Sequence, residues 1–233
     1  RRAPVDRYLF QVMAVGDGYG GLEHRSSTAL ICRRADLPHT GMAGVPDGYR
    51  SFLGLCSHEY FHTWHVKRIK PQAFAGYDLE RENYTRLLWI FEGFTSYYDD
   101  LMLARSGAID SAAYLKLLSG TISSVMRGPG RLAQSVAESS FDAWTKYYRQ
   151  DELVALCLDL AIRARTNGRR SLDDVMRLLW QRYGREFFSK PPCERSGLPE
   201  DGFPALLADA TGLRLDREIR AWAEGTAELP ISS

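Results

Sequence analysis

Five histidines occur in the chain, and two of them fall in one short run, His58-Glu59-Tyr60-Phe61-His62. Around it Phe52, Leu53, Leu55 and Cys56 recur with helical spacing, and the helix they open is expected to reach about Val66 before Pro71 stops any continuation. On a helix, residues four apart are neighbours about 6 Å away, so both imidazoles reach one zinc ion at about 2.0 to 2.1 Å. Glu59, one position beyond the first histidine, sits badly for the same ion but well for a water on it. That is the geometry of a general base in metal-assisted hydrolysis. The bland alternative, two histidines that happen to flank a glutamate, is disfavoured by the helical context.

A catalytic zinc takes three protein ligands and keeps one position open. His65 lies seven residues beyond His58, about 10 Å along the helix axis, too far to share the ion. A third histidine at position 68 is excluded, because that residue is Arg68 and position 65 is not the glycine such a pattern needs. The better candidate is Glu92, a lone carboxylate within Trp89-Ile90-Phe91-Glu92-Gly93-Phe94-Thr95-Ser96-Tyr97-Tyr98. So apolar a surrounding gives a carboxylate little reason to be charged unless a cation is there. Gly93 beside it lets another helix or backbone come close. Glu80 and Glu82 are rivals, in a polar stretch where an exposed acid needs no cation. Asp99, on the same face as Glu92, reads either as an acceptor that orients a ligand histidine or as an acid on the helix surface. One zinc per chain is the expected stoichiometry.

The elements that must carry these residues follow from punctuation and period. Tyr8 to Val15 and Ser27 to Cys32 read as strands flanking the glycine-rich turn Gly16 to Gly21. From Ser51 onward the period is helical. Further helices are expected from about Asn83 to Arg105, from an Asp110 cap to Met126, from Glu152 to Thr166, from Leu172 to Tyr183 behind a Ser171 cap, and around Pro204 to Ala210 and Asp216 to Ala223. No internal repeat or low-complexity stretch interrupts them. The plan is α+β and mainly α, a small β lobe at 1–50 followed by a helical lobe at 51–233.

Composition removes several function classes. Of the 233 residues 45% are hydrophobic and 25% charged, enough for a large core. Lys plus Arg number 30 against 29 Asp plus Glu, so the formal charge of +1 offers no footprint for nucleic acid or an anionic membrane. No apolar run is long enough to span a bilayer. Cys32, Cys56, Cys157 and Cys193 make no C-x-x-C pair, and buried free thiols are the expectation. No segment addresses the chain to a compartment, and a cytoplasmic location is the expectation. Strand-like residues at Tyr8 to Val15 without earlier partners suggest a fragment of a longer protein without its natural N-terminus. Oligomeric state leaves no signal.

The residues above resemble the glycyl aminopeptidases, which belong with the thermolysin-like gluzincins. His58 to Pro71, Arg81 to Gly107, Gly20-Gly21-Leu22-Glu23-His24-Arg25-Ser26-Ser27-Thr28 and Glu138 to Glu152 carry the resemblance, which covers most of the chain. It implies a thermolysin-like zinc peptidase domain acting on peptides, with the metal on His58, His62 and Glu92. Gly20 to His24 is similar in placement to the exopeptidase motif of the wider aminopeptidase group, a glycine-led edge strand with a glutamate. The similarity implies that Gly21 and Glu23 bind substrate, the strand pairing with an extended peptide and Glu23 holding its free α-ammonium. A turn acid that caps backbone groups is the alternative for Glu23.

Three departures stand out. His65 replaces the family's more frequent Asn, and the β and PDZ domains that usually flank the catalytic part are absent from these residues. A segment bearing a Tyr-Tyr pair, expected after an Asp-Glu like Asp151-Glu152, is also missing, since Glu152 runs straight into Leu153. One tyrosine of it would donate to the oxyanion, so the expectation is an omitted mobile loop; the alternative is a true deletion, with slow turnover or a borrowed donor such as Tyr147 or Tyr148. The function implied is zinc-dependent peptide hydrolysis, an aminopeptidase removing N-terminal residues, with small ones the class that the resemblance implies. Two alternatives stand beside it: a zinc hydrolase of a non-peptide substrate, and a weak or inactive peptidase-like scaffold acting as a binding domain.

Overall fold

The structure, a computed structural model, describes residues 3–142 and 144–231, with the backbone alone at 144–148. It is α+β and mainly helical. Ser27–Arg33 (β3) shows why a sheet forms first: Thr28, Leu30 and Cys32 are buried while Ala29, Ile31 and Arg33 face outward. This is the two-residue period of a sheet covered on one side. Leu9–Val15 (β1) runs parallel to β3 with Leu9 opposite Ser27. Gly20–Glu23 (β2) runs antiparallel with Glu23 opposite Thr28, which makes β2 one edge of the described sheet. The last two residues of the expected glycine-rich turn therefore belong to a strand.

The helix of the histidine pair, Asp47–Phe61 (α1), starts earlier and ends earlier than its apolar period implied. Pro46, extended, cannot extend the helix backward, and Asp47 in the first turn complements the helix dipole. At the far end His62 keeps helical dihedrals and its N–H returns to the His58 carbonyl at 3.2 Å. The chain then turns away, and Val66 takes a φ of 116°.

One helix expected over 83–105 is two in the structure, Leu88–Phe91 (α2) and Gly93–Ser106 (α3), with Glu92 between them. Residues 83–87 stay out because they are held from elsewhere. The Thr85 hydroxyl and the Arg86 N–H both donate to the Glu200 carboxylate, at 2.6 and 2.9 Å, and the Leu87 N–H donates to the Thr85 hydroxyl. Gly107, with φ of 78°, ends α3. Then follow Ser111–Arg127 (α4), Val136–Ser139 (α5), Trp144–Arg165 (α6), Leu172–Leu179 (α7), Phe203–Thr211 (α8) and Asp216–Ile219 (α9). Both α7 and α9 continue into a wider π turn, Trp180–Gly184 and Arg220–Glu224. No helix among the described residues is long and apolar enough to cross a membrane.

The chain divides into two compact units, Arg1–Lys67 with Tyr98–Ser119, and Arg68–Tyr97 with Gly120–Ser233. In the first, α1 packs on β2 and β3. Phe61 stacks on Tyr98 with ring centroids 5.1 Å apart, and the Ser57 hydroxyl donates to the Asp99 carbonyl at 2.9 Å. In the second, α6 buries Leu153, Val154, Ala155, Leu158 and Ile162. Its Asp159 is buried but fully engaged, accepting from the Leu172 N–H, the Tyr97 hydroxyl and Arg163 at 2.6, 2.6 and 2.7 Å. Trp89, Phe94 and Phe203 pack edge to face. Of the cysteines, Cys32 and Cys157 are buried, Cys56 is half-buried, and Cys193, against expectation, is exposed. Burial pushes the Cys56 and Cys157 thiols up to about 11, which keeps them protonated.

Gly93 is where α3 meets the backbone of α6. A Cβ there would lie 2.7 Å from both Cβ and the carbonyl oxygen of Asp151, and backbone cannot step aside as a side chain can. The sequence-based inference that Gly93 permits a close approach is met by this contact. Gly93→Ala should therefore destabilise the protein by about 1 to 3 kcal/mol, even though alanine favours a helix by about 1 kcal/mol over glycine. Urea denaturation checks it, and an unchanged or raised midpoint would contradict it.

Candidate metal centre

His58 and His62 stand one turn apart on the last turns of α1, their ring centroids 4.8 Å apart. Each imidazole meets an oxygen through Nδ1. His58 Nδ1 lies 3.1 Å from Oδ2 of Asp99, and His62 Nδ1 lies 2.9 Å from the His65 carbonyl. A carbonyl oxygen only accepts, and so does an ionised carboxylate, so both Nδ1 atoms carry the proton. A neutral ring then has its lone pair on Nε2, a nitrogen through which imidazole binds a metal. This donor chemistry fits a zinc ion. Asp99 thus lies against His58 rather than standing as an acid on the open helix surface. His65, buried, acts on His62 through its backbone.

Glu59 is 5% exposed and packs against β2 at Gly21. A Cβ on Gly21 would fall on the Glu59 carboxylate, 2.5 Å from its Cδ and 2.6 Å from its Cγ. The glycine is therefore needed to make room for the carboxylate, a use the sequence reading did not include. The Tyr8 hydroxyl donates to the Glu59 carbonyl at 3.1 Å, and its ring lies edge-on to Tyr60 at 4.8 Å. Burial pushes the Tyr8 phenol up to about 12, so it stays a donor. Together these contacts hold Glu59 from its backbone and from the far side of its side chain.

Glu23, at the end of β2, pairs with Lys67 across 2.9 Å. The ligand atoms of Glu23, Glu59 and His62 all lie within 4.8 Å of one another. The first unit therefore gathers Gly21, Glu23, His58, Glu59, His62 and Asp99. Glu92 lies in the second unit, half-buried at the junction of α2 and α3. Its N–H donates to the Leu88 carbonyl at 2.7 Å and its carbonyl accepts from Ser96 at 2.8 Å, so the helical hydrogen bonding passes through it. The run from Leu88 to Ser106 carries both Glu92 and Asp99.

α6 runs from Trp144 to Arg165 through Glu152 and Leu153. Tyr147 and Tyr148, the alternative donors, lie outside the described side chains.

Because the Asp99 carboxylate faces Nδ1 of His58 at 3.1 Å, Asp99→Ala should weaken zinc affinity about 10- to 100-fold and leave the fold intact. Competition with a calibrated chelator measures this, and an unchanged zinc affinity would show that the Asp99 contact does not orient a ligand.

Residues 51–156 match the M61 glycyl aminopeptidase family. A crystal structure of an aminopeptidase N family protein from Idiomarina loihiensis superposes with a TM-score of 0.89 at 42% sequence identity, over 98% of this chain. The chain spans 40% of the length of that protein. No curated protein matches it. The matched segment contains both histidines, the glutamate between them, Glu92 and Asp99, and together the two matches support assignment to the glycyl aminopeptidase family.

Proposed function

We propose that the chain is the catalytic part of a zinc-dependent aminopeptidase, with His58, His62 and Glu92 as ligands and Glu59 as the base. The observation that carries this reading is the pair of Nδ1 contacts, which set both imidazoles in the metal-binding tautomer on either side of Glu59. Two imidazoles and a carboxylate are also the donor set of a hydrolytic zinc site. Zinc there would make a water more acidic and draw electron density from the scissile carbonyl.

The chain's own residues do the rest. The edge of β2 offers backbone groups to an extended peptide. The Glu23 carboxylate takes the α-ammonium by a charge-assisted hydrogen bond, which measures one residue from the N-terminus. Glu59, seated against Gly21, accepts the proton of the attacking water on its carboxylate and returns it to the departing amine.

Glu59→Gln should keep its zinc and lose turnover, because the amide cannot take a proton. Gly21→Ala should behave the same way with little loss of stability, since the flexible Glu59 side chain can swing aside, and displacing it by about 1 Å costs on the order of 100-fold in rate. Peptide hydrolysis assays with elemental analysis decide this; either variant working near the native rate would remove Glu59 as the base. For the anchor, Glu23→Ala should raise the barrier for free-amine substrates by about 2 to 3 kcal/mol and leave acetylated ones nearly unchanged. Equal losses on both substrates would reject the anchor.

A further inference from the structure

The Glu23 carboxylate already has a cation. Lys67 Nζ lies 2.9 Å from its Oε1, with the two side chains only 22% and 21% exposed. Lys67 is brought there by the turn that follows α1. Its N–H donates to the His62 carbonyl at 3.0 Å, and the preceding residue, buried Val66, has a φ of 116°. A β-branched residue keeps so strained a backbone only where its surroundings over-determine it. The same short turn directs the His65 carbonyl to His62, so the position of the Lys67 ammonium is set along with that of the imidazole.

We propose that Lys67 is a specificity-determining residue, a tethered ammonium that competes with the substrate's α-ammonium for Glu23. The inference rests on the reading of Glu23 as the amine anchor. Two ammonium groups on one carboxylate repel each other, and the tethered one is present at a high effective concentration. An incoming amine must share the carboxylate or displace Lys67, so its affinity is held down. The amino acid released by hydrolysis carries the same ammonium and is held down equally, which lets it leave. Lys67 does not react; it sets how tightly amines are held.

Lys67→Met removes the charge and keeps most of the apolar stem, while Lys67→Arg keeps the charge. NMR titration of the zinc-loaded protein with alanine amide and with N-acetylalanine amide reads the effect without relying on turnover. Lys67→Met should bind alanine amide roughly threefold tighter or more and N-acetylalanine amide with native affinity. Lys67→Arg should match the native protein for both, and on a Glu23→Ala background Lys67→Met should change neither. If Glu23→Ala weakens alanine amide selectively while Lys67→Met leaves it unchanged or weaker, the competition is overturned and the anchor stands. If Glu23→Ala leaves the ratio of the two ligands unchanged, the anchor falls and the competition with it.

Discussion

Two imidazoles share one ion only if each turns an unprotonated ring nitrogen toward it, and here that nitrogen is set as Nε2 by two oxygen atoms that accept from Nδ1. One is the Asp99 carboxylate, the other the His65 carbonyl. Much of the surrounding structure serves these two contacts. Asp99 is held beside α1 by the Ser57 hydroxyl on its carbonyl and by the Phe61–Tyr98 stack one residue away. The His65 carbonyl is aimed by a turn that carries a left-handed valine. Were either oxygen to move, a ring could flip its tautomer, and a lone pair would point into protein.

Space is the second constraint, and glycine meets it twice. On the sheet side, Gly21 leaves the volume that the Glu59 carboxylate fills; on the helical side, Gly93 lets α3 start against the Asp151 backbone. Neither glycine is in a left-handed conformation, so both are there for the absence of a side chain. The residue next to Gly93 is Glu92, the proposed third ligand, and the close approach at Gly93 fixes where α3 begins. Glu59, seated against the edge strand at Gly21, also lies beside that strand's own acid, Glu23.

Much of this was legible in the sequence because it rests on local periodicity. The i, i+4 histidines, the intervening glutamate, the inward alternation of β3 and the small residue after Glu92 each announce themselves within a few positions. What was hidden depends on groups far apart in sequence or on backbone. Asp99 could not be told from a surface acid until His58, 41 residues earlier, lay against it. The part played by His65 lies in its carbonyl, which every residue has. Tyr8 reads as the first residue of a strand, and nothing in its neighbours points to Glu59. The late start of α2 depends on Glu200, more than a hundred residues away, and the early start of α6 spans a stretch whose apolar pattern begins only after Glu152.

The central claim is that His58, His62 and Glu92 hold zinc with both histidines bound through Nε2. X-ray absorption at the zinc edge of the purified protein addresses it directly. The account predicts one zinc per chain with only nitrogen and oxygen neighbours at about 2.0 to 2.2 Å, including the outer-shell scattering of two imidazole rings. It also predicts that this imidazole signal drops by one ring in His62→Ala. Sulfur neighbours near 2.3 Å, a single imidazole in the native protein, or no bound zinc would contradict it.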